Sequence, residues 1–382
     1  MRIPTQPWAP SNGASRSVAL EVLLNGPISR SDIARKLDLS PGSLTRLSTP
    51  LIESGLLIEV EEKMDGRAGR PSKPLDIVPS SQHFIGIKLT GTDVVAVLTD
   101  LRANVILEHS ATLGSRMPDD VIAELAAAVK TLAASASSVT AIGVGIGALV
   151  VDHAIVRSAP FLEWSDVPLG PMLEAATGIP TVIENDLVAF TEAEHWFGAG
   201  RGLDRFAVLT LGAGIGYGAV IHNGIVLDED SGIGLVGHWP LDPFGPLCPA
   251  GHRGCARSVL TMPAIAAAVS AALDRTVSYD EALGLAAAGE PAARRVVDDA
   301  GRGLGRMIAA VANLTAPELI VLGGEGVGLV TVASAAIQEG IATDRDARAR
   351  QIPLVATSGD NTEWCRGAAV IAIQRFVLGA SD

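Results

Sequence analysis

The chain has 382 residues, 48% of them hydrophobic but only 4% aromatic, so it is long enough for two or three domains whose cores are built from aliphatic side chains. Three cysteines are too few for a disulfide framework, no N-terminal apolar stretch reads as a signal peptide, and no apolar run reaches the roughly 18 residues of a membrane span, which together exclude secreted disulfide-rich and membrane classes and predict a cytoplasmic protein. The net charge of −13 is uneven: residues 1–80 carry ten Lys and Arg against nine Asp and Glu and the rest 19 against 33, so the body repels nucleic acid while a near-neutral head keeps local basic clusters that can bind it.

Residues 1–13, rich in Pro, Ser and Asn, read as a loose tail. SRSVALEVLLNG then predicts a helix with Val18, Leu20, Val22, Leu23 and Leu24 on its apolar positions, stopped by Asn25-Gly26. In the next stretch Ser29 caps a helix carrying Ile33, Ala34 and Leu37, and Asp38-Leu39-Ser40 is a short turn. Pro41 opens a second helix that buries Leu44 and Leu47 and runs toward Gly55. Pro50 is expected to bend or interrupt it. Extended residues 56–60 follow, and then EEKMDGRAGRPSKPLDIV puts Arg67, Arg70 and Lys73 on a Gly- and Pro-rich loop.

Two short helices, a tight turn and a following strand make a winged helix-turn-helix over residues 1–80. Its second helix brings Ser40, Ser43, Thr45 and Arg46 to a major groove. The wing cations Arg67, Arg70 and Lys73 suit a narrow minor groove or the phosphates beside it. A solvated hairpin tip or plain linker is the alternative for that loop; the helix-turn-helix directly before it favours DNA.

From residue 81 the pattern changes. FIGIKLTGTDVVAVLTDLRANVILEHSATL gives three β-rich segments, with turns at Thr90-Gly91 and near Asn104. A helix (PDDVIAELAAAVKTLAAS), a buried strand (TAIGVGIGALV), the strand PTVIEND and a helix through residue 197 follow. Hairpin strands in RFAVLTLGAGIGYGAVIHNGIVL, helices over 258–315, the strand ELIVLGGEG, a further helix and a C-terminal helix at about 364–378 complete the chain. Strands followed by alternating helix and strand, occurring twice, predict an α/β body of two related lobes facing a cleft: 81–190 with 362–382, and 191–361.

GVGIGALVVD, IENDLVAF, LTLGAGIGYGAVIHNG, the GH…C…GC stretch and IVLGGEGVG stand in the order of the ROK family (repressors, uncharacterised reading frames and sugar kinases), and the chain resembles that family from the wing to the C-terminus. The resemblance implies an actin-like, RNase H-like ATPase fold for the body. It also implies what a kinase of the family needs. An aspartate ends the first strand to organise Mg²⁺, and a carboxylate accepts the sugar's proton.

Several of those parts are missing. Lys88 stands where the aspartate belongs, and a cation there repels Mg²⁺, so no catalytic residue is assigned and no ATP turnover is expected. Asp186 and Asn185 match the family's END motif as proton acceptor and sugar contact, while the residues alone also allow Asp186 to cap the following helix. Leu235, Arg257 and Phe161 replace polar sugar contacts, and Leu149-Val150 replaces a Pro-Gly pair. Losing hydroxyl partners at about 1–3 kcal/mol each weakens sugar binding. Lys88 and Arg257 favour an anionic ligand such as a sugar phosphate, held with Asn185, Asp186 and His238. The glycines of Gly212-Ala213-Gly214-Ile215-Gly216 and Gly323-Gly324-Glu325-Gly326 read as inherited architecture.

The family's zinc loop carries one His and three Cys. Here His238, Cys248 and Cys255 align, Ala250 replaces the middle cysteine, and His252 is the nearest substitute ligand; a metal-free loop is the alternative. The resulting expectation is a DNA-binding regulator, a repressor of sugar or secondary-metabolism genes, acting as a homodimer or homotetramer on a palindromic operator and answering a sugar or sugar-phosphate effector. The competing readings are a sugar kinase with an accessory DNA-binding head, and a DNA binder with no ligand.

Overall fold

The computed structural model describes residues 13–61, 73–228 and 230–377. In the head, α1 (Gly13–Asn25) buries Val18, Ala19, Val22 and Leu23. Ser29 Oγ accepts from Asp32 N at the start of α2 (Arg30–Lys36), and Ser40 Oγ accepts from Ser43 N at the start of α3 (Pro41–Glu53). These caps satisfy amides that the first helical turn leaves without partners. Helix α3 is not interrupted at Pro50 but continues to Glu53. Pro50 lies on the exposed side of the helix, where the carbonyl that its missing N–H leaves without a helical partner is open to solvent. Strands β1 (Leu57–Glu59) and β2 (Leu75–Ile77) pair antiparallel, Leu57 opposite Ile77. A helix-turn-helix with a two-stranded wing results.

The chain divides into two compact units, one of Met1–Ile146, Val150–Glu184 and Cys365–Asp382, the other of Gly147–Leu149 and Asn185–Trp364. In the first, β3 (His83–Leu89), β4 (Asp93–Asp100) and β5 (Val105–Thr112) form an antiparallel meander. Helix α4 (Pro118–Ala133) leads to β6 (Ala141–Ile146), which joins β3 in parallel. Strands β7 (Leu149–Val151), β8 (Ile155–Ala159) and β9 (Trp164–Val167) make a separate small sheet, and α5 (Leu169–Thr177) precedes β10 (Thr181–Asn185). The main sheet runs β10-β6-β3-β4-β5.

The second unit repeats that order. After α6 (Asp186–Phe197) come β11 (Arg205–Leu211), β12 (Ile215–Ile221) and β13 (Gly224–Ile225), then α7 (Ala256–Leu260), α8 (Met262–Leu273), α9 (Tyr279–Ala287) and α10 (Pro291–Thr315). Strand β14 (Leu319–Gly323), α11 (Gly328–Val332), α12 (Ser334–Asp344) and β15 (Leu354–Ala356) follow. The sheet runs β13-β12-β11-β14-β15, with β11 antiparallel to β12 and parallel to β14. Its aliphatic core includes Leu209, Leu304, Ile308 and Ile320. On another cluster Phe190 stacks on Trp364 with ring centroids 4.9 Å apart.

Helix α13 (Asn361–Phe376) returns the chain to the first sheet. It lies against β3 and β6 because Gly86 and Gly143 carry no side chain: a Cβ at either would come within 1.9 Å of Cys365 O or 1.8 Å of Ala368 O. No helix among the described residues is long and apolar enough to cross a membrane.

Candidate functional site

In the head, α3 turns Ser43, Thr45 and Arg46 away from the core formed by Leu44, Leu47 and Leu51. The serine hydroxyls cap the helix, Ser40 Oγ lying 2.9 Å from Ser43 Oγ, and Thr45 Oγ1 donates to Pro41 O at 3.0 Å. Arg46 is exposed and has no carboxylate partner among the described residues. The neighbouring cations are occupied: Arg30 and Lys73 share Glu59 at 2.7 and 3.6 Å, Arg35 meets Asp32 at 2.6 Å, and Lys36 meets Glu21 at 2.6 Å. Arg46 is thus the cation of this helix pair without an ion-pair partner among the described residues. Arg67 and Arg70 lie outside the described residues.

Lys88 is buried, 6% exposed, in β3 between Val95 of β4 and Gly145 of β6. The turn after it is closed on itself. Thr90 Oγ1 accepts from Thr92 N (3.2 Å) and Asp93 N (2.9 Å), and Thr90 N donates to Asp93 O (3.0 Å). Those amides are engaged and do not present themselves to a phosphate. Arg116 Nε holds Gly91 O at 3.1 Å, Trp164 Nε1 holds Arg116 O at 2.6 Å, and Phe161 is 54% exposed.

In the second unit Asn185, and not Asp186, caps α6. Asn185 Oδ1 accepts from Leu187 N at 3.0 Å and Val188 N at 3.3 Å, and Nδ2 donates to Ala148 O at 3.0 Å. The reason is placement: Asn185 keeps non-helical backbone (φ −58°, ψ 135°) at the helix entrance, while Asp186 is already the first helical residue. Asp186 is half-buried, with Oδ1 2.8 Å from Leu187 N. The glycine turn 212–214 has a carboxylate over it: a Cβ on Gly212 would come within 2.7 Å of Glu325 Oε2. A negative charge there disfavours the phosphates that such turns cradle. Sequence reading passed over Glu325 because only the packing of the two glycine turns brings it to Gly212. Leu235 is 62% exposed, and Arg257 is exposed on α7.

The loop 237–255 folds by two short bridges, Pro240 with Cys255 and Leu247 with Arg253, and by Cys248 N donating to His252 O at 2.8 Å. These gather the predicted metal ligands. His238 Nδ1 and His252 Nδ1 stand 3.0 Å apart, and Cys248 Sγ lies 3.7 Å from the first and 3.6 Å from the second. Cys255 Sγ reaches His238 Nδ1 at 3.9 Å. A zinc tetrahedron with Zn–N about 2.05 Å and Zn–S about 2.3 Å has N···N edges of about 3.3 Å and N···S edges of about 3.6 Å, so the three donors His238, Cys248 and His252 fit zinc, and Cys255 lies outside that close group. Burial, then the charges of His252 and Arg257, lowers the His238 pKa, the direction that favours a neutral, ligating ring. Burial pushes the Cys248 thiol up, but hydrogen bonds from the backbones of His252 and Ala250, joined by the His252 and Cys255 side chains, bring it down to about 7. A thiolate is the form that binds metal.

The sequence signature of the ROK family matches residues 84–375. The chain is 26% identical to the DNA-binding transcriptional repressor Mlc of Escherichia coli over 91% of this chain and 89% of that one. It is 33% identical to a glucokinase of Thermotoga maritima, over 63% of this chain and 81% of the kinase. Among solved structures, a ROK family transcriptional regulator described as a homologue of E. coli Mlc superposes with a TM-score of 0.82 at 27% identity, covering 96% of this chain and 97% of that one.

Proposed function

The chain belongs to the ROK family, and we propose that it is a DNA-binding transcriptional regulator, a repressor acting in the cytoplasm, whose kinase-like body has given up phosphoryl transfer. The observation that carries this reading is the extent of the likeness. The repressor and the regulator match head and body together, whereas the glucokinase matches 63% of the chain. The head supplies a helix-turn-helix, with Arg46 on α3 lacking a carboxylate partner among the described residues, and the base of a wing. DNA enters through the first turn of α3, with Ser43, Thr45 and Arg46 toward base edges and phosphates.

The body's own residues argue against catalysis. Lys88 fills the place of a metal-organising carboxylate, the amides of Thr90, Thr92 and Asp93 are spent within their own turn, and Glu325 lies over the glycine turn at Gly212. Asn185 caps α6, and the half-buried Asp186 and the exposed Arg257 are the residues proposed to meet an effector. A cation at Arg257 favours an anionic sugar over a neutral one. Zinc would be held by His238, Cys248 and His252, with the Cys255 thiol 3.9 Å from His238 as the fourth donor, and would cross-link the loop 237–255; His252 replaces the thiolate lost at Ala250.

In vitro selection from a randomised duplex library with the full chain tests the reading: enrichment of a two-fold symmetric motif is expected, and no enrichment at moderate salt overturns it. The 33% identity to a glucokinase favours the second reading, a kinase with an accessory head. A coupled assay with ATP, Mg²⁺ and a panel of hexoses decides between the two, and turnover above background rejects the first.

A further inference from the structure

The turn joining β4 to β5 is a hairpin tip, and hairpin tips ordinarily face water. This one does not: Leu101 and Ala103 are both 0% exposed. Its shape is fixed from within by Asp100, whose Oδ1 accepts from Arg102 N (2.8 Å) and Asn104 N (3.0 Å) while Oδ2 accepts from Asn104 Nδ2 (2.9 Å). Ala103 holds a left-handed conformation (φ 55°) to close it. The tip is also tied at both ends of the unit. Leu101 N donates to Pro79 O (3.1 Å) in the segment leaving the wing, and Arg366 Nε of α13 donates to Ala103 O (3.1 Å).

Between those ties Arg102 reaches into the head. One guanidinium nitrogen donates to Gly26 O, at 3.3 Å, and to Asp76 Oδ1. Gly26 follows the C-terminus of α1, where carbonyls favour a cation, and Asp76 lies in the middle of β2. The site needs a glycine, since a Cβ at 26 would come within 2.5 Å of Asp76 Oδ1. Asp76 Oδ1 accepts from Ile77 N as well (2.8 Å), so the carboxylate is oriented before Arg102 meets it. The Arg102 and Asp76 side chains are only 26% and 23% exposed, so water screens this pair less than a surface one. A single body side chain therefore touches both the residue that follows the first helix and the wing of the head.

We propose that Arg102 is a strut that fixes the orientation of the DNA-binding head on the body. Without it, the head keeps its own fold but swings about the segment 78–82. A head held at one angle reads half-sites at one separation, and a swinging head tolerates several. The same strut carries a displacement of α13 into the head through Arg366, Ala103 and Arg102. The proposal's consequence for DNA rests on the regulator reading above; its mechanical part does not.

The test compares the full-length wild type with Arg102→Ala and Arg102→Lys. Hydrogen exchange on DNA-free protein is read at the junction (26–28 and 75–82) and in the helices α1–α3. In Arg102→Ala the junction amides exchange about tenfold faster, while the α1–α3 core is unchanged; Arg102→Lys, with the charge on a shorter and more flexible side chain, lies between. Equal junction exchange in all three overturns the strut. So does loss of protection throughout α1–α3 in both variants, because that assigns Arg102 to the head's folding. In the second arm, each protein selects from duplexes carrying the enriched half-site at separations varied base pair by base pair. Wild type prefers one separation and Arg102→Ala spreads over several at similar half-site affinity. An unchanged preference overturns the positioning role. If wild type selects no DNA, the regulator reading falls while the exchange arm still decides the strut.

Discussion

His252→Ala is the sharpest perturbation of the loop 237–255. His252 Nδ1 is 3.0 Å from His238 Nδ1 and 3.6 Å from Cys248 Sγ, close to the about 3.3 and about 3.6 Å edges of a zinc tetrahedron. Removing it leaves one imidazole and two thiols, too few to close a structural site. Protein purified without chelators should carry about one zinc per chain by plasma emission spectrometry, and His252→Ala should carry little. At free zinc 100-fold above Kd the ion stabilises the fold by about 2.7 kcal/mol. For a unit of about 150–250 residues, at roughly 2–4 °C per kcal/mol, chelation should lower the Tm by about 5–10 °C. His252→Ala should start at the lower Tm and ignore chelator. His252→Cys should regain both metal and Tm, and with cobalt it should add thiolate-to-metal charge-transfer intensity. Zinc-free wild type, or a His252→Ala protein that holds zinc as well as wild type, would refute the ligand assignment.

Four further outcomes are expected. Arg46→Ala should weaken DNA binding by about 1–3 kcal/mol if the guanidinium reads a base, or lower the salt slope by about one if it meets a phosphate; anisotropy over a salt series that finds neither removes Arg46 from the interface. Asn185→Ala deletes the α6 cap and a buried bond to Ala148 O and should cost about 1–3 kcal/mol in urea unfolding, against almost nothing if the amide is idle. Gly86→Ala forces a methyl to 1.9 Å from Cys365 O, so the first unit should fail to pack α13, seen as loss of soluble full-length protein; wild-type stability would contradict the close approach. In metal-free protein, alkylation of Cys248 should rise with a midpoint at about pH 7, below the free thiol's 9.0. Because the folded value is depressed, the thiolate's contribution is complete above about pH 9 and is lost as pH falls through about 7, where protons also displace zinc. A midpoint near 9 would show that the surrounding hydrogen bonds do not hold the thiolate.

Much of this was legible in the residues because the signals are local. Ser29, Ser40 and Pro41 define helix starts through bonds spanning three residues, and the head's helices begin where those residues put them. The alternation of strand and helix predicted two related lobes, and the two sheets repeat one order. Pro50 does not interrupt α3, because a proline's effect depends on which side of the helix it occupies, and exposure is a tertiary property. The small sheet of β7, β8 and β9 went unread because its strands are three to five residues long, too short for a periodicity.

The sequence by itself determined the family, the losses at Lys88, Leu235 and Ala250, and the candidate metal ligands, since those are identities in a fixed order. Only the tertiary structure decided what each side chain is free to do. It assigned the cap of α6 to Asn185 instead of Asp186, brought Glu325 to Gly212, gathered His252 to His238, and put Arg102 on Gly26 and Asp76. The physical reason is distance along the chain. Arg102 and Gly26 are 76 residues apart, and no propensity or spacing rule reaches that far; only packing makes them neighbours.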